Sequence, residues 1–365
     1  MQHRPIRILV DCHVFDGTFQ GTTTYLKGLY QELIKDADMQ FFLVANDTDK
    51  LQKVFGTYDN VTYLAYRSGN KFIRLLFDLP KLIRKYKIDY AHFQYVAPPI
   101  KQCKHIVTLH DVLFLDFPHY FPLGYRLKNR FLFGTSARHA DVVLTVSNYS
   151  KQRIQKHFGI SEITITPNAV DPVFFEAYDK KAVQELVEKR FGAKDYWLFV
   201  SRWEPRKNHD LLLRVFVEKG FYNNYELVFI GDPAIPNKTY EAYYHGLDAL
   251  IKQKIKMLNK VNFDDLLLLV RGATLSVYPS VAEGFGIPPL EALAANVPAI
   301  CSNATAMSDF DFMSDWLFDP SDPEDLAQKA HLALQAKDAA DKREKIARRF
   351  SWTVAAQAFN NAIGR

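Results

Sequence analysis

Ser276-Val-Tyr-Pro-Ser-Val-Ala-Glu-Gly-Phe-Gly-Ile-Pro-Pro-Leu-Glu-Ala-Leu-Ala294 reads as strand, loop and helix. Leu275 to Tyr278 is a short apolar run suited to a buried strand, and Pro279 and Ser280 stop it. Gly284 and Gly286 give a loop whose backbone can approach a ligand closely. Pro288 and Pro289 suit a helix start, where backbone N–H groups have no intrahelical partner. Leu290, Leu293 and Ala294 then repeat at helical spacing. The N–H groups around Phe285, Gly286 and Ile287 are therefore expected at a helix N-terminus, a ready site for a phosphate or diphosphate.

Two carboxylates bracket this loop, Glu283 before it and Glu291 in what reads as the first helical turn. A carboxylate accepts two hydrogen bonds from a vicinal diol, so each suits a sugar or a ribose. The string Pro279-Ser280-(x2)-Glu283-Gly-Phe-Gly-(x4)-Glu291-Ala resembles the E-x7-E motif of glycosyltransferase family 4, retaining enzymes of the GT-B type.

The bulk properties are compatible with such a chain. Its 365 residues exceed the usual size of a single core, so two domains are expected. An apolar fraction of 48% supports globular cores. Three widely spaced cysteines, Cys12, Cys103 and Cys301, show neither metal spacing nor a disulfide framework, which fits a reducing, cytoplasmic setting. The first residues lack the apolar core of a signal peptide, and no apolar run approaches the ~20 residues of a membrane span. A net charge of +5 permits an anionic ligand or membrane surface and calls for no nucleic acid.

The chain opens with a β-rich run, Ile6 to Val10, then a loop from Asp16 to Thr24 and one helix face at Tyr25, Leu26, Leu29, Tyr30 and Leu33. Gly21-Thr-Thr-Thr-Tyr25 is similar to the family's Gly-x-Gly-x-Tyr, with Thr23 in place of the second glycine; the resemblance puts Gly21 beside the donor. Strand-like runs recur at Phe41–Ala45, Val61–Leu64, Asp89–Phe93, Ile106–Leu109 and Val142–Val146, with helical segments between most of them. Such alternation predicts a parallel sheet covered on both faces. Thr108-Leu-His-Asp111 lies where a strand meets a loop, and an imidazole there can donate to a sugar hydroxyl or a phosphate. It resembles the family's His-Asp motif, which implies that His110 contacts the transferred sugar while Asp111 orients the loop.

Asn70 to Lys87 mixes Lys71, Arg74, Lys81, Arg84, Lys85 and Lys87 with apolar residues, and Tyr120 to Arg138 repeats the theme. Both read as amphipathic helices. Their alternative to a solvated face is a basic, aromatic surface for anionic lipid.

In the second half, Trp197 to Ser201 reads as a strand, followed by Arg202-Trp-Glu-Pro-Arg-Lys-Asn208 and a helix. Cations at a strand-to-helix loop neutralise a diphosphate. These residues resemble the family's Gly-Arg-Leu-(x3)-Lys and Pro-Arg-Lys-Asn patterns, which assign Arg202 and Lys207 to the donor diphosphate, with Arg206 as a competitor. A helical region is expected from Tyr240 to Met257. Asn259 and Asn296 stand where the family has glycine, and asparagine tolerates a left-handed backbone. Asp309-Phe-Asp311 spells a metal motif of another glycosyltransferase fold and reads as chance here.

The resemblance implies an α/β protein with two Rossmann-like domains facing each other across a cleft. The expected division is an acceptor-side domain over 1–170, a nucleotide-sugar domain over 171–350, and a C-terminal helix over 351–365 that crosses back to the first. It implies a nucleotide-sugar donor, with Glu291 on the ribose. Arg202, Lys207 and the Gly284–Ile287 turn would hold the diphosphate, and Glu283 and His110 the hexose. No cofactor and no metal are expected. The motifs look most like mannosyltransferases of bacterial polysaccharide and O-antigen assembly, hence GDP-mannose, with a UDP-hexose or dTDP-rhamnose as alternatives. The acceptor would be a glycan or lipid-linked saccharide, met by an enzyme peripheral on the inner membrane face. An epimerase or phosphorylase on the same fold, and a non-catalytic binding protein, are the competing classes. No late lysine motif for pyridoxal phosphate is present.

Overall fold

The computed structural model describes residues 4–17, 21–336 and 339–365. The chain divides into two compact units, one of residues 1–169 and 350–365, the other of residues 170–349. Each is built on one parallel sheet with helices in the connections, the architecture of a Rossmann-like domain.

The first sheet has seven strands: β1 (Ile6–Asp11), β2 (Met39–Ala45), β3 (Val61–Ala65), β4 (Tyr90–Gln94), β5 (Lys104–Thr108), β6 (Val142–Thr145) and β7 (Thr164–Ile165). Their order is β3-β2-β1-β4-β5-β6-β7, so the direction of winding reverses between β1 and β4. Ile8, Leu9 and Val10 are fully buried in succession, because helices cover both faces of the sheet and leave no polar side for alternation. Leu9, Phe42, Val44, Leu79, Ile83 and Phe93 form one buried cluster, and Val107, Leu109, Phe114, Phe133, Ile154 and Phe158 belong to another.

The closing helix, Trp352–Ala362, belongs to this unit and lies against the helix Gly21–Leu33. Gly28 permits the approach, for a Cβ there would stand 1.9 Å from Cε2 of Trp352. Tyr90 secures the chain end by donating its hydroxyl to the Ile363 carbonyl at 3.2 Å. The loop expected from Asp16 to Thr24 is shorter than its composition suggests: the helix already runs from Gly21. Thr18, Phe19 and Gln20 lie outside the described residues.

The second sheet has six strands: β8 (Tyr196–Val200), β9 (Glu226–Ile230), β10 (Ile255–Leu258), β11 (Leu275–Tyr278), β12 (Ala299–Ser302) and β13 (Leu317–Phe318). Their order is β10-β9-β8-β11-β12-β13, and winding reverses between β8 and β11. The helical region expected over Tyr240–Met257 is in fact a helix at Lys238–Gly246, a turn at Ala249–Lys252 and the strand β10. Ile255 pairs with Leu227 and Met257 with Phe229, and this tertiary pairing overrides the helical reading of a short apolar run. Asn296 takes the left-handed conformation at φ 56°, whereas after β10 it is Lys260, not Asn259, that does so, at φ 53°.

Candidate functional site

β8 and β11 meet at the reversal of strand order, where open parallel sheets bind ligands beyond the carboxyl ends of their strands. The chain places a charged loop on each side. After β8 comes the 3-10 turn Pro205–Lys207 and the helix His209–Glu218. After β11, residues 279–286 lead into the helix Ile287–Ala294. The loops are joined through backbone: the Val281 N–H donates to the Arg206 carbonyl at 2.8 Å, and Nη1 of Arg206 donates to the Ala282 carbonyl at 2.6 Å. Side chains complete the link. Lys207 Nζ lies 2.5 Å from Glu283 Oε1, and Arg206 Nη1 lies 3.3 Å from Oε2. Burial alone would raise the Glu283 carboxyl; Lys207 and Arg206 outweigh it and hold the group below the usual carboxylate range.

Two residues that the sequence left unmarked hold this constellation. Glu204 accepts from Arg206 Nε at 2.8 Å. Thr305 takes φ 52°, a strained conformation for a β-branched residue, and its Oγ1 accepts from the Glu283 backbone N–H at 2.9 Å. Arg202 stands apart from the pair. Its side chain is 67% exposed, and Nη1 lies 3.7 Å from Glu204 Oε1.

Gly286 caps the following helix at φ 95°, and a Cβ there would stand 2.7 Å from Cγ of Met307, so both conformation and space require glycine. Pro288 and Pro289 remove two of the four unsatisfied donors of the helix end, which narrows the expected anion site to the N–H groups of Gly286 and Ile287. Phe285 turns its ring into the interior, edge-on to Phe310 at 5.9 Å. Glu291 lies beyond the first turn, not within it. Burial, with a smaller contribution from Asp171, raises its carboxyl to about 7.

In the first unit, Leu109 and His110 follow β5. His110 is 8% exposed, and burial lowers its imidazole to about 3. Its Nε2 donates to Gln94 Oε1 at 2.8 Å, with the Gln94 amide nitrogen 3.2 Å from Nε2 of His92. Nδ1 of His92 lies 2.7 Å from the Tyr30 hydroxyl. With Nε2–H committed to Gln94, a neutral His110 presents Nδ1 as an acceptor, not as the donor that the strand–loop position suggested. The ring is further fixed by Tyr25, edge-on at 4.9 Å. Gly21 stands exposed at the start of its helix with open space at the Cβ position.

The sequence model described as "Glycosyltransferase Family 4" matches residues 19–174, and that described as "Glycosyl transferases group 1" matches residues 183–350. The chain belongs to glycosyltransferase family 4. It is 30% identical to an O-antigen chain mannosyltransferase of Salmonella typhimurium over 54% of this chain and 51% of that protein, so it spans about half the length of that relative. It is 25% identical to O-antigen chain mannosyltransferase B of Escherichia coli over 85% and 89% of the two chains. Among solved structures, a glycosyltransferase from Rickettsia africae superposes with a TM-score of 0.74 at 16% identity, covering both chains fully. The Anabaena protein HepE, crystallised with UDP-glucose, superposes with a TM-score of 0.72 at 15% identity over 98% and 99%. These likenesses establish the two Rossmann-like domains of the GT-B fold. In the family E-x7-E motif, Glu283 is the first glutamate and Glu291 the second.

Proposed function

We propose that this glycosyltransferase moves a hexose, mannose from GDP-mannose as the leading assignment, onto a glycan or lipid-linked saccharide with retention of configuration and without a metal. The observation that carries the reading is the Lys207–Glu283–Arg206 constellation at the β8–β11 reversal beside the Gly286–Ile287 turn. It joins fixed positive charge to a carboxylate, the two needs of a sugar diphosphate. The O-antigen mannosyltransferase relatives support mannose. A protein of this fold crystallised with UDP-glucose supports a nucleotide sugar as the donor class and keeps a UDP-hexose as the alternative.

As the glycosidic bond to the diphosphate breaks, negative charge grows on the leaving oxygen and positive charge at the anomeric carbon. Lys207 and the Gly286 and Ile287 N–H groups stabilise the first in a preorganised site, with Arg206 holding the loop and Arg202 free to swing in from its exposed position. Glu283, kept ionised by two cations, accepts hydrogen bonds from hexose hydroxyls. A carboxylate so paired is a poor nucleophile, which favours same-face attack by the acceptor hydroxyl with the departing phosphate as base, rather than the two-carboxylate scheme of glycoside hydrolases. Glu291 accepts hydrogen bonds from the ribose diol, and His110 accepts a hydrogen bond from a sugar hydroxyl through Nδ1. A thermal-shift screen of GDP, UDP and dTDP tests the donor. The cognate nucleotide at 100 times its dissociation constant adds ~2.7 kcal/mol, and a flat response to all three would remove the reading.

A further inference from the structure

A second charged centre lies at the end of β1, at the reversal point of the first sheet. Asp11, the last residue of that strand, is fully buried. Its Oδ1 accepts from Nδ1 of His13 at 2.9 Å and from the Tyr66 hydroxyl at 2.5 Å. Oδ2 has no hydrogen-bond partner and lies 3.6 Å from Nε of Arg74. Burial alone would raise this carboxyl, but His13, Arg74 and the Tyr66 hydrogen bond drive it far below the usual range, so it is an anion.

Both partners of this carboxylate are partly exposed. The two terminal amino groups of Arg74 hydrogen-bond to no described residue, and its side chain is 15% exposed. The His13 ring is 29% exposed, with Nδ1 taken by Asp11 and Nε2 remaining. One buried carboxylate thus holds a guanidinium and an imidazole, both partly exposed, at the ligand edge of the sheet. The backbone is specialised here as well. Arg74 begins a π-helical stretch, Arg74–Asp78, set between the helical turns Lys71–Ile73 and Leu79–Lys85. Such turns recur at functional sites because they re-aim side chains. Arg74 meets Asp11, while Phe72, Ile73, Leu76 and Phe77 of the same segment stay exposed. β5, which leads into His110, is two strands from β1, roughly 10 Å along the same edge.

We propose that Arg74, His13 and Asp11 form an anion-recognition site for the acceptor, taking a phosphate or diphosphate group attached to the acceptor saccharide. A guanidinium with an unfilled fork matches two oxygens of a phosphate through paired charge-assisted hydrogen bonds, which a neutral sugar does not offer. With Nδ1–H committed to Asp11, Nε2 of a neutral His13 ring accepts from a protonated phosphate oxygen, and Asp11 positions both side chains without touching the ligand. The proposal rests on the glycosyltransferase reading only in naming the ligand an acceptor.

The test is calorimetric titration of inorganic pyrophosphate into protein saturated with its nucleoside diphosphate, so that the donor site is filled. Wild type should bind, and Arg74→Gln should weaken binding at least tenfold. His13→Gln, which leaves the Asp11–Arg74 contact in place, should weaken it by a smaller factor and guards against a folding defect in the first variant. No binding to wild type, or equal binding to all three proteins, overturns the proposal. A parallel arm measures sedimentation with phosphatidylglycerol vesicles. Loss of vesicle binding in Arg74→Gln with unchanged pyrophosphate affinity would assign Arg74 to the membrane and overturn it as well. If no nucleotide binds, the glycosyltransferase reading falls, and Arg74-dependent pyrophosphate binding still decides this proposal.

Discussion

Lys207 and Glu283 stand 76 positions apart, on loops from two different strands, and their charged atoms lie 2.5 Å apart. Both side chains are mostly buried, at 14% and 16% exposure, so the pair acts in a medium less screened than water. Lys207→Ala should slow sugar transfer at least tenfold, ~1.4 kcal/mol in barrier, by removing a contact to the leaving group. Arg206 still neutralises Glu283 in that variant, so the fold should persist. Turnover at the wild-type rate in a variant with an unchanged circular dichroism spectrum would remove Lys207 from the mechanism.

Glu291 gives the site a pH dependence with a definite sign. Its folded carboxyl titrates at about 7 against an ordinary 4.5, so folding favours the protonated form. That contribution is full below pH 4.5 and is lost as pH rises through 7. Glu291→Gln should therefore stabilise the protein at pH 8, by on the order of 3 kcal/mol, and change it little at pH 4.5 or below. Urea denaturation at both values measures this. Binding should run the other way, because the proposed contact of Glu291 with the ribose diol needs the carboxylate. Affinity for the nucleotide sugar should rise roughly tenfold from pH 6 to pH 8, as the ionised fraction rises, and Glu291→Gln should flatten the profile.

Metal independence is the third expectation. In the proposed mechanism the positive potential at the diphosphate comes from Lys207, the adjacent arginines and the helix end. The Asp309 and Asp311 pair has another use, with Asp311 lying 2.5 Å from Nη1 of Arg349. Transfer should persist in EDTA. Abolition by chelation with recovery on adding manganese or magnesium would contradict this.

The membrane expectation takes a sharper form. Lys71, Lys81, Arg84 and Lys85 are exposed beside Phe72 and Phe77, and Phe131, Leu127 and Leu123 are exposed on the helix Leu123–His139. Among the described residues no helix is long and apolar enough to cross a membrane. Each cation near an anionic surface contributes ~1 kcal/mol. Co-sedimentation with anionic vesicles should exceed that with neutral ones, fall at high salt, and drop when these four residues become glutamine. Arg74 is left out of this set because it faces Asp11. Equal weak sedimentation with both vesicle types would leave only solvated helix faces.

Gly28 offers a test of the packing. Alanine is the better helix former by about 1 kcal/mol, yet its Cβ would overlap the Trp352 ring. Overpacking of this kind costs about 1–3 kcal/mol, so Gly28→Ala should lower the melting temperature. A stabilised variant would mean that the helix Trp352–Ala362 does not rest there.

The strands that carry the sites were legible because both faces are buried and the runs are continuously apolar, as at Ile8–Val10 and Leu275–Tyr278. The short strands β7 and β13 were not, since two residues carry no periodicity. β10 was masked by the helix before it. Lys207 and Glu283 were legible as motif residues, but their direct pairing was not, because spacing along the chain says nothing about two loops meeting at a strand reversal. Thr305 and Gln94 carried no local signal at all. One is marked only by a backbone conformation, the other by a neighbour 16 positions away. Asp11 and His13 stand at and just after the end of β1, and only the fold brings Arg74 to them.

The central claim is that a nucleotide sugar is held and cleaved at the Lys207–Glu283 site. The most direct measurement is release of nucleoside diphosphate from GDP-mannose, UDP-glucose and dTDP-rhamnose, by wild type and Lys207→Ala, in the presence of a cell extract as acceptor source. One donor, GDP-mannose first, should be turned over, and Lys207→Ala should reduce its rate at least tenfold. No release from any of the three, or equal release by the variant, would contradict the claim.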